Sequence, residues 1–442
     1  MPPLPNVEPF VVPALIASND NATMRNVAPM DSCMNSTIVC VAPMLLTPKS
    51  AGTLEQGDIK ITIPGKSSMV SICLTVLFSF AGLHFGQGRQ DDDFDHAISE
   101  EMRRYKIPSI AACIVRDDAI VWQRAYGYAD LGTKKSATMD TVYFVASLSK
   151  LVAGVAAMQL HEKGILAIDA DINEYLPFRV RHPAHPEAKI TARMLLTHRS
   201  GLAWPTGREY PEFYKIYPGD SAPPLGSWLR DTLIPGGSRY DPRIWKNWAP
   251  GEKQEYSNPG AALLGYVLER ASGVDYADYC RKSIFEPLGM SNTSFRLRSI
   301  DAAKLAQPYD RDLTPAGHFG VPFYPSTTLR TSVPEFARFL IAIMNGGQFR
   351  GTRILSKDSV EEILRMQNPG SMSGLLWWKY EGGWYGGEGG FRGSSTFAGF
   401  HKARKTGIVI FSNRSESNEF YPPAGRIYKL VVEQAAILAE RE

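Results

Sequence analysis

Ser147-Leu148-Ser149-Lys150 opens a long apolar stretch, and Tyr256-Ser257-Asn258 follows about a hundred residues later. A serine and a lysine three apart sit one helical turn from each other on one face. A serine hydroxyl is a weak nucleophile until a neighbouring base takes its proton. Lysine serves as that base only when burial or a nearby cation lowers its pKa. The run after Lys150, Leu151-Val152-Ala153-Gly154-Val155-Ala156-Ala157-Met158-Gln159-Leu160, is apolar almost all round, as in a core helix. Gly164 is its candidate stop. Ser147 and Lys150 then fall in the first turn, where backbone N–H groups lack helical partners and the serine N–H is a ready half of an oxyanion hole. Ser149 is adjacent to Lys150, and helix residues one apart do not face each other. Alone, Ser-x-x-Lys also describes a capped helix with an exposed lysine. The second motif sharpens it: a Tyr256 phenol between serine and lysine relays the proton and later protonates the leaving group. Asn258, two residues on, is placed to bind an acyl-chain amide or to hold Lys150. The chemistry indicated is acyl transfer through a Ser147 acyl-enzyme.

Further blocks carry a family resemblance. Thr141-Val142-Tyr143-Phe144-Val145-Ala146-Ser147, Leu195-Leu196-Thr197-His198-Arg199-Ser200-Gly201-Leu202 and Phe285-Glu286-Pro287-Leu288-Gly289-Met290 occur in this order around the two motifs. From about Ile107 to about Asn413 the chain resembles the serine β-lactamase and penicillin-binding-protein superfamily, in its class C β-lactamase-like branch with the family VIII carboxylesterases. The resemblance implies Ser147 as nucleophile, Lys150 and Tyr256 as general bases, Asn258 as a substrate contact, and no cofactor.

The chain departs from that family at its third motif, a Lys, His or Trp, then any residue, then Gly, on the strand beside the nucleophile. The literal Lys405-Thr406-Gly407 reads as a decoy leading into the strand Ile408–Asn413. Tyr385-Gly386-Gly387-Glu388-Gly389-Gly390-Phe391-Arg392-Gly393 is similar to the family's glycine-rich turn. In that register Gly387 replaces the cation, Gly389 keeps the glycine and the Gly390 N–H completes the oxyanion hole. A second register uses Trp384-Tyr385-Gly386 as a Trp-x-Gly variant. Without the cation a buried substrate carboxylate lacks a charge-assisted partner worth about 1.5–3 kcal/mol. This favours neutral esters over β-lactams, although Arg392 is placed to supply a charge from another direction. No Glu-x-x-Leu-Asn segment offers a dedicated deacylating glutamate.

Neither charge nor cysteines point elsewhere. The 442 residues carry a formal net charge of +3 with both signs mixed, which argues against a nucleic-acid partner. Five cysteines are too few and too irregular for a disulfide framework. Cys113 and Cys280 read as small buried hydrophobes, whereas Cys33 and Cys40 are a candidate pair if the protein is exported. His182-Pro183-Ala184-His185 reads as a surface loop rather than a metal site, and no metal is expected. There is no Gly-x-Ser-x-Gly elbow of the α/β-hydrolase kind.

Residues 1–68 read as an atypical, disordered leader, and residues 69–88 contain an apolar run of signal-peptide size. The hydrolase domain is then residues 91–442, secreted or periplasmic, with no stable membrane association after processing. If residues 69–88 are not an export signal, the protein is cytoplasmic. Helix is expected over Ala97–Tyr105, strands over Ser109–Val115, Ala119–Gly127, Gly374–Tyr380, Ser394–His401 and Gly407–Ser412, an α-rich middle between Ser147 and Pro287, and a closing helix over Ile427–Glu440. This order predicts an α+β fold: an antiparallel sheet built from both chain ends, flanked by helices, with an inserted all-helical lobe and the site at their junction. The aromatic, proline-rich stretch Trp204–Trp248, including Tyr214 and Trp245, is either the wall of an acyl pocket or the filling of a long loop. The leading function is a carboxylesterase acting on a small-molecule ester or β-lactam-like substrate. A β-lactamase, DD-peptidase or amide hydrolase is the second reading and a non-catalytic penicillin-binding protein the third. Oligomeric state is left open.

Overall fold

Strands contributed by both ends of the chain, the central ones buried along nearly their whole length, form the centre of the computed structural model, which describes residues 93–203, 211–415 and 425–439. The leader, the apolar segment 69–88, Cys33, Cys40 and Trp204 lie outside the described residues. β1 (Ser109–Arg116) and β2 (Ala119–Asp130) form a hairpin, and β3 (Lys135–Ser136) joins β2. The C-terminal third supplies β4 (Trp378–Tyr380), β5 (Trp384–Phe391), β6 (Ser394–His401) and β7 (Thr406–Ser412). The seven strands run in the order β4-β5-β6-β7-β1-β2-β3, antiparallel throughout. The two ends of the chain meet where β1 pairs with β7, Ile110 opposite Ser412 and Arg116 opposite Thr406.

Side chains alternate across a strand, so the sheet feeds two cores. Ile110, Ala112, Ile114, Ile408, Ile410 and Phe397 face α1 (93–104) and the C-terminal helix, Arg426–Ala439. Phe94, Ile98 and Met102 of α1, spaced four apart, supply its buried stripe. Ala111, Cys113, Val115, Val409 and Phe411 face the helical middle of the chain. There α2 (Ser149–Glu162), α3 (Ala192–Leu196), α4 (Leu225–Leu233), α5 (Asn258–Ser272), α6 (Tyr276–Cys280), α7 (Val333–Met344) and α8 (Lys357–Leu364) gather, and α9 is the Arg426–Ala439 helix. Every residue of α2 from Ser149 to Leu160 is buried, and the helix ends just before Gly164, whose φ is +68°. Cys113 and Cys280 are buried, and desolvation pushes both thiols well above their ordinary range.

Four expectations need correcting. The glycine-rich segment after Trp384 is a full strand, β5, and only Arg392-Gly393 forms the turn into β6. Gly374–Leu376 is not strand. Leu375 N–H donates to Ile363 O and Leu376 N–H to Leu196 O, so this backbone ties helix ends together. Ser147 precedes the α-helix, in a 3-10 turn over Ala146–Leu148. His182 is buried rather than on the surface: its Nε2 lies 2.8 Å from Lys246 O and its ring packs on Trp245. Of the aromatics in the proline-rich stretch, Phe213, Trp228 and Trp245 are buried, and Phe213 and Trp228 pack on Phe323. These rings fill the helical core. Among the described residues no helix is long and apolar enough to cross a membrane, and no cluster of three or more His, Cys, Asp or Glu side chains could hold a metal ion.

Candidate active site

A tight turn presents Ser147. Ala146, immediately before it, has φ +47°, a left-handed conformation that costs a non-glycine residue about 1–3 kcal/mol and occurs at functional turns. Several bonds hold the turn in place. Val145 N–H donates to Leu329 O at 2.9 Å, the Ser394 hydroxyl to Phe144 O at 2.6 Å, and the Thr396 hydroxyl to Val145 O at 3.1 Å. Ser147 is the one partly exposed residue between Thr141 and Lys150. Ser149 is buried and donates to Ala146 O at 2.6 Å while accepting from Leu329 N–H at 3.1 Å, so its hydroxyl is committed to structure.

Two side chains converge on the Ser147 hydroxyl. Lys150 Nζ lies 3.0 Å from Ser147 Oγ and Tyr256 OH lies 2.8 Å from it. Lys150 also donates to Ser326 O at 2.8 Å, and its Nζ sits 4.9 Å from the Tyr256 ring centroid. Lys150 is 3% exposed, and desolvation holds its amine well below the usual lysine range. The same burial pushes the Tyr256 phenol above its ordinary range, opposed by the Ser147 hydrogen bond and helped by the charge of Glu388. The amine is therefore biased toward its neutral, proton-accepting form and the phenol toward its protonated, donating form.

Local sequence explains where Tyr256 points. Ser257 is the N-cap of α5, its hydroxyl accepting from Gly260 N–H at 2.9 Å, and Pro259 sits in the first turn, so the chain enters the helix directly after Tyr256. His198 brackets the tyrosine. Its carbonyl accepts from Glu255 N–H at 2.8 Å and its Nδ1 from Ser257 N–H at 3.2 Å. Its ring centroid is 4.6 Å from that of Tyr256. Burial, helped by Lys150, pushes the imidazole down to about 3, so it is neutral and uses Nδ1 as an acceptor. Asn258 is buried as the first residue of α5, its Oδ1 without a hydrogen-bond partner, and it makes no bond to Lys150.

The third-motif strand lies against the nucleophile turn. A Cβ on Gly389 would sit 2.2 Å from Val145 O and 2.3 Å from Thr396 Oγ1, so only glycine permits this approach. Gly390 is opposite Ser395 at the end of β5. A Cβ on Gly387 would meet Leu151 Cδ2 at 3.1 Å, so the leucine after the candidate base fills the space beside it. Arg392 is bound to Asp310, with Nε at 3.0 and 3.1 Å and Nη2 at 2.7 Å from the carboxylate. Trp384 packs in the other core, toward α1 and α9, away from Ser147. The Lys405 amine donates to Met344 O and Asn345 Oδ1, in keeping with its reading as a decoy. The structure thus brings together Ser147, Lys150, Tyr256 and Gly389, and places Trp384 elsewhere. Ser326 O and the clamp by His198 carried no recognisable sequence signal of their role, because one is a backbone atom and the other a contact across 58 residues of chain. Glu388, half-buried on β5, is a further titratable group: burial raises its carboxyl to about 7, against a hydrogen bond from Tyr380.

A serine held by a buried amine and a phenol, at the mouth of a core helix beside the edge of an antiparallel sheet, defines the serine-reactive β-lactamase and penicillin-binding class. The chain belongs to the Beta-lactamase family, whose model matches residues 94–433. It is 26% identical over 333 residues to a putative penicillin-binding protein, PbpX, of Bacillus subtilis, covering 72% of this chain and 74% of that one. It is 31% identical over 223 residues to esterase EstB of Burkholderia gladioli, covering 50% of this chain and about half, 54%, of EstB. Among solved structures, an octameric penicillin-binding protein homologue from Pyrococcus abyssi superposes with TM-score 0.61 at 25% identity, over 79% of this chain and 78% of that one. EstCE1, a hydrolase with promiscuous acyltransferase activity, shares the fold with TM-score 0.63 at 18% identity, over 78% and 98%.

Proposed function

We propose that the protein is a carboxylesterase that cleaves neutral esters through a Ser147 acyl-enzyme. The observation that carries this reading is the pair of contacts on one hydroxyl, 3.0 Å from a desolvated amine and 2.8 Å from a phenol. Neutral Lys150 takes the serine proton as Oγ attacks the ester carbonyl. The developing oxyanion is received by the Ser147 and Gly390 N–H groups. Tyr256 protonates the departing alkoxide and regains its proton from the Lys150 ammonium. Water, deprotonated by the same pair, then releases the acid and regenerates the hydroxyl. Asn258 is assigned to the acyl side.

The ester preference is supported by Gly387, which offers no cation for a β-lactam carboxylate, and by Arg392, whose charge is already paired with Asp310. A β-lactamase, DD-peptidase or amide hydrolase is the second reading, favoured by the penicillin-binding relative aligned over 74% of its length. Steady-state rates with p-nitrophenyl butyrate and benzylpenicillin distinguish the two. The expected outcome is ester turnover at least 100-fold faster in kcat/KM, abolished in Ser147→Ala. Faster turnover of the penicillin establishes the second reading.

A further inference from the structure

His198 stands where the end of its own helix gives no reason for a histidine. The last turn of α3 is closed by two backbone bonds, His198 N–H to Leu195 O at 3.2 Å and Arg199 N–H to Met194 O at 2.7 Å. This closure puts residue 198 in the left-handed conformation, with φ +57°. Glycine is the usual residue there, because a side chain is strained in that conformation. A buried histidine, 2% exposed, occupies the position instead. Packing does not account for it either. Nδ1 accepts from Ser257 N–H at 3.2 Å, so the ring proton is on Nε2, and Nε2 has no hydrogen-bond partner among the described residues. A phenyl or aliphatic side chain would fill this volume without burying an unmatched donor.

Tyr256 supplies the missing reason. The His198 carbonyl accepts from Glu255 N–H at 2.8 Å and Nδ1 from Ser257 N–H, so both chain neighbours of the tyrosine hang on one residue. The imidazole lies against the phenol ring with centroids 4.6 Å apart, and Trp378 of β4 stacks on the imidazole at 6.3 Å and 18°. An imidazole combines a flat face with an acceptor at its edge. Burial, helped by Lys150, pushes it down to about 3, so it adds no second cation beside the base.

Resting on the acyl-transfer reading above, we propose that His198 is a positioning residue that aims the Tyr256 phenol at the leaving-group oxygen and so opens unactivated alkyl esters to the enzyme. As the C–O bond to the leaving group breaks, its electron pair goes to the alkoxide oxygen and the Tyr256 proton joins it. The phenolate then regains a proton from the Lys150 ammonium. An alkoxide is too basic to leave without that proton, whereas p-nitrophenolate leaves as the anion. The aim of the phenol therefore matters most for alkyl esters.

The test compares two esters with the same acyl group and different leaving groups, ethyl butyrate and p-nitrophenyl butyrate, in wild type and His198→Asn. Asparagine tolerates the left-handed conformation and lacks the ring. General acid catalysis contributes about 10²–10⁴-fold, and part of it goes with the aim, so kcat/KM for ethyl butyrate is expected to fall at least about tenfold further than that for p-nitrophenyl butyrate. Tyr256→Phe is expected to show the same bias, and adding His198→Asn to it to widen the bias no further. Equal falls on the two esters, or a bias that widens again in the double variant, overturn the proposal and leave the esterase reading intact. If wild type turns over neither ester, the esterase reading falls. The role of His198 is then read from acylation of Ser147 by benzylpenicillin, whose amine departs with a proton, against labelling by a fluorophosphonate, whose fluoride departs without one. Selective slowing of the penicillin in His198→Asn supports the proposal; equal slowing, or no acylation of wild type by the penicillin, overturns it. If His198→Asn does not fold, His198→Gly, with the usual residue for this helix end, is read in its place. If neither folds, the ring is a packing group and the proposal is overturned.

Discussion

Lys150 and Tyr256 share one oxygen, and their environments push them in opposite directions. Burial drives the amine below its usual range and the phenol above its own. At low pH Lys150 is an ammonium and cannot accept the Ser147 proton, so kcat/KM should climb with pH along a limb lying below the ordinary lysine value of about 10.4. Tyr256 keeps its proton above the ordinary tyrosine range, so the plateau should extend to alkaline pH without a tyrosine limb near 10. A pH profile on p-nitrophenyl butyrate checks both. A rising limb at the unperturbed lysine value would contradict the role given to Lys150. At this scale the motif residues were legible because a three-residue spacing and an apolar run are local properties. The partners that tune them were not: Ser326 O and Gly387's contact with Leu151 come together only when α2, β5 and the turn over Tyr324–Ser326 pack.

β5 shows how an element was misread. Five glycines from Trp384 to Gly393 suggested a loop, because glycine lowers strand propensity. The strand forms because β6 pairs along its whole length and the Val145 carbonyl comes within reach of Gly389, where a side chain is excluded. Gly389→Ala places a methyl 2.2 Å from Val145 O. The expected result is a loss of about 1–3 kcal/mol in denaturant unfolding together with a fall in kcat, because the clash falls two residues before the nucleophile. Gly132→Ala, where the nearest atom is Asp130 Oδ1 at 3.4 Å, is the control and should change neither. Equal activities of Gly389→Ala and wild type would mean that the strand does not set the Ser147 turn. The β1–β2 hairpin and α2 were legible to within a few residues, the first from two short strand-like runs joined by the turn at Asp117-Asp118 and the second from a long unbroken apolar run.

Across the whole molecule, the sheet joins segments roughly 300 residues apart, and Asn413 marks the junction. Its Oδ1 accepts from the Ser109 N–H at 3.0 Å and hydroxyl at 2.8 Å, and its Nδ2 donates to Ala129 O at 3.2 Å and Gln307 O at 3.0 Å. It is 2% exposed, so removing the amide strands several buried groups. Asn413→Ala should cost on the order of 3 kcal/mol in chemical denaturation, with the folded fraction keeping its kcat. A change below about 0.5 kcal/mol would show that the junction is held by strand pairing alone. The sheet from both ends was legible in the order of elements, whereas its register was not. Register depends on such long-range bonds, and nothing local in the sequence announces them. The central claim for the molecule is that this architecture makes Ser147 a nucleophile. Intact-mass and peptide mass spectrometry after rapid quench from an activated short-chain ester tests it most directly. The account predicts one acyl group on the peptide containing Ser147, absent in Ser147→Ala and strongly slowed in Lys150→Met; an adduct that survives in Ser147→Ala, or that maps to Ser149 or another residue, would contradict it.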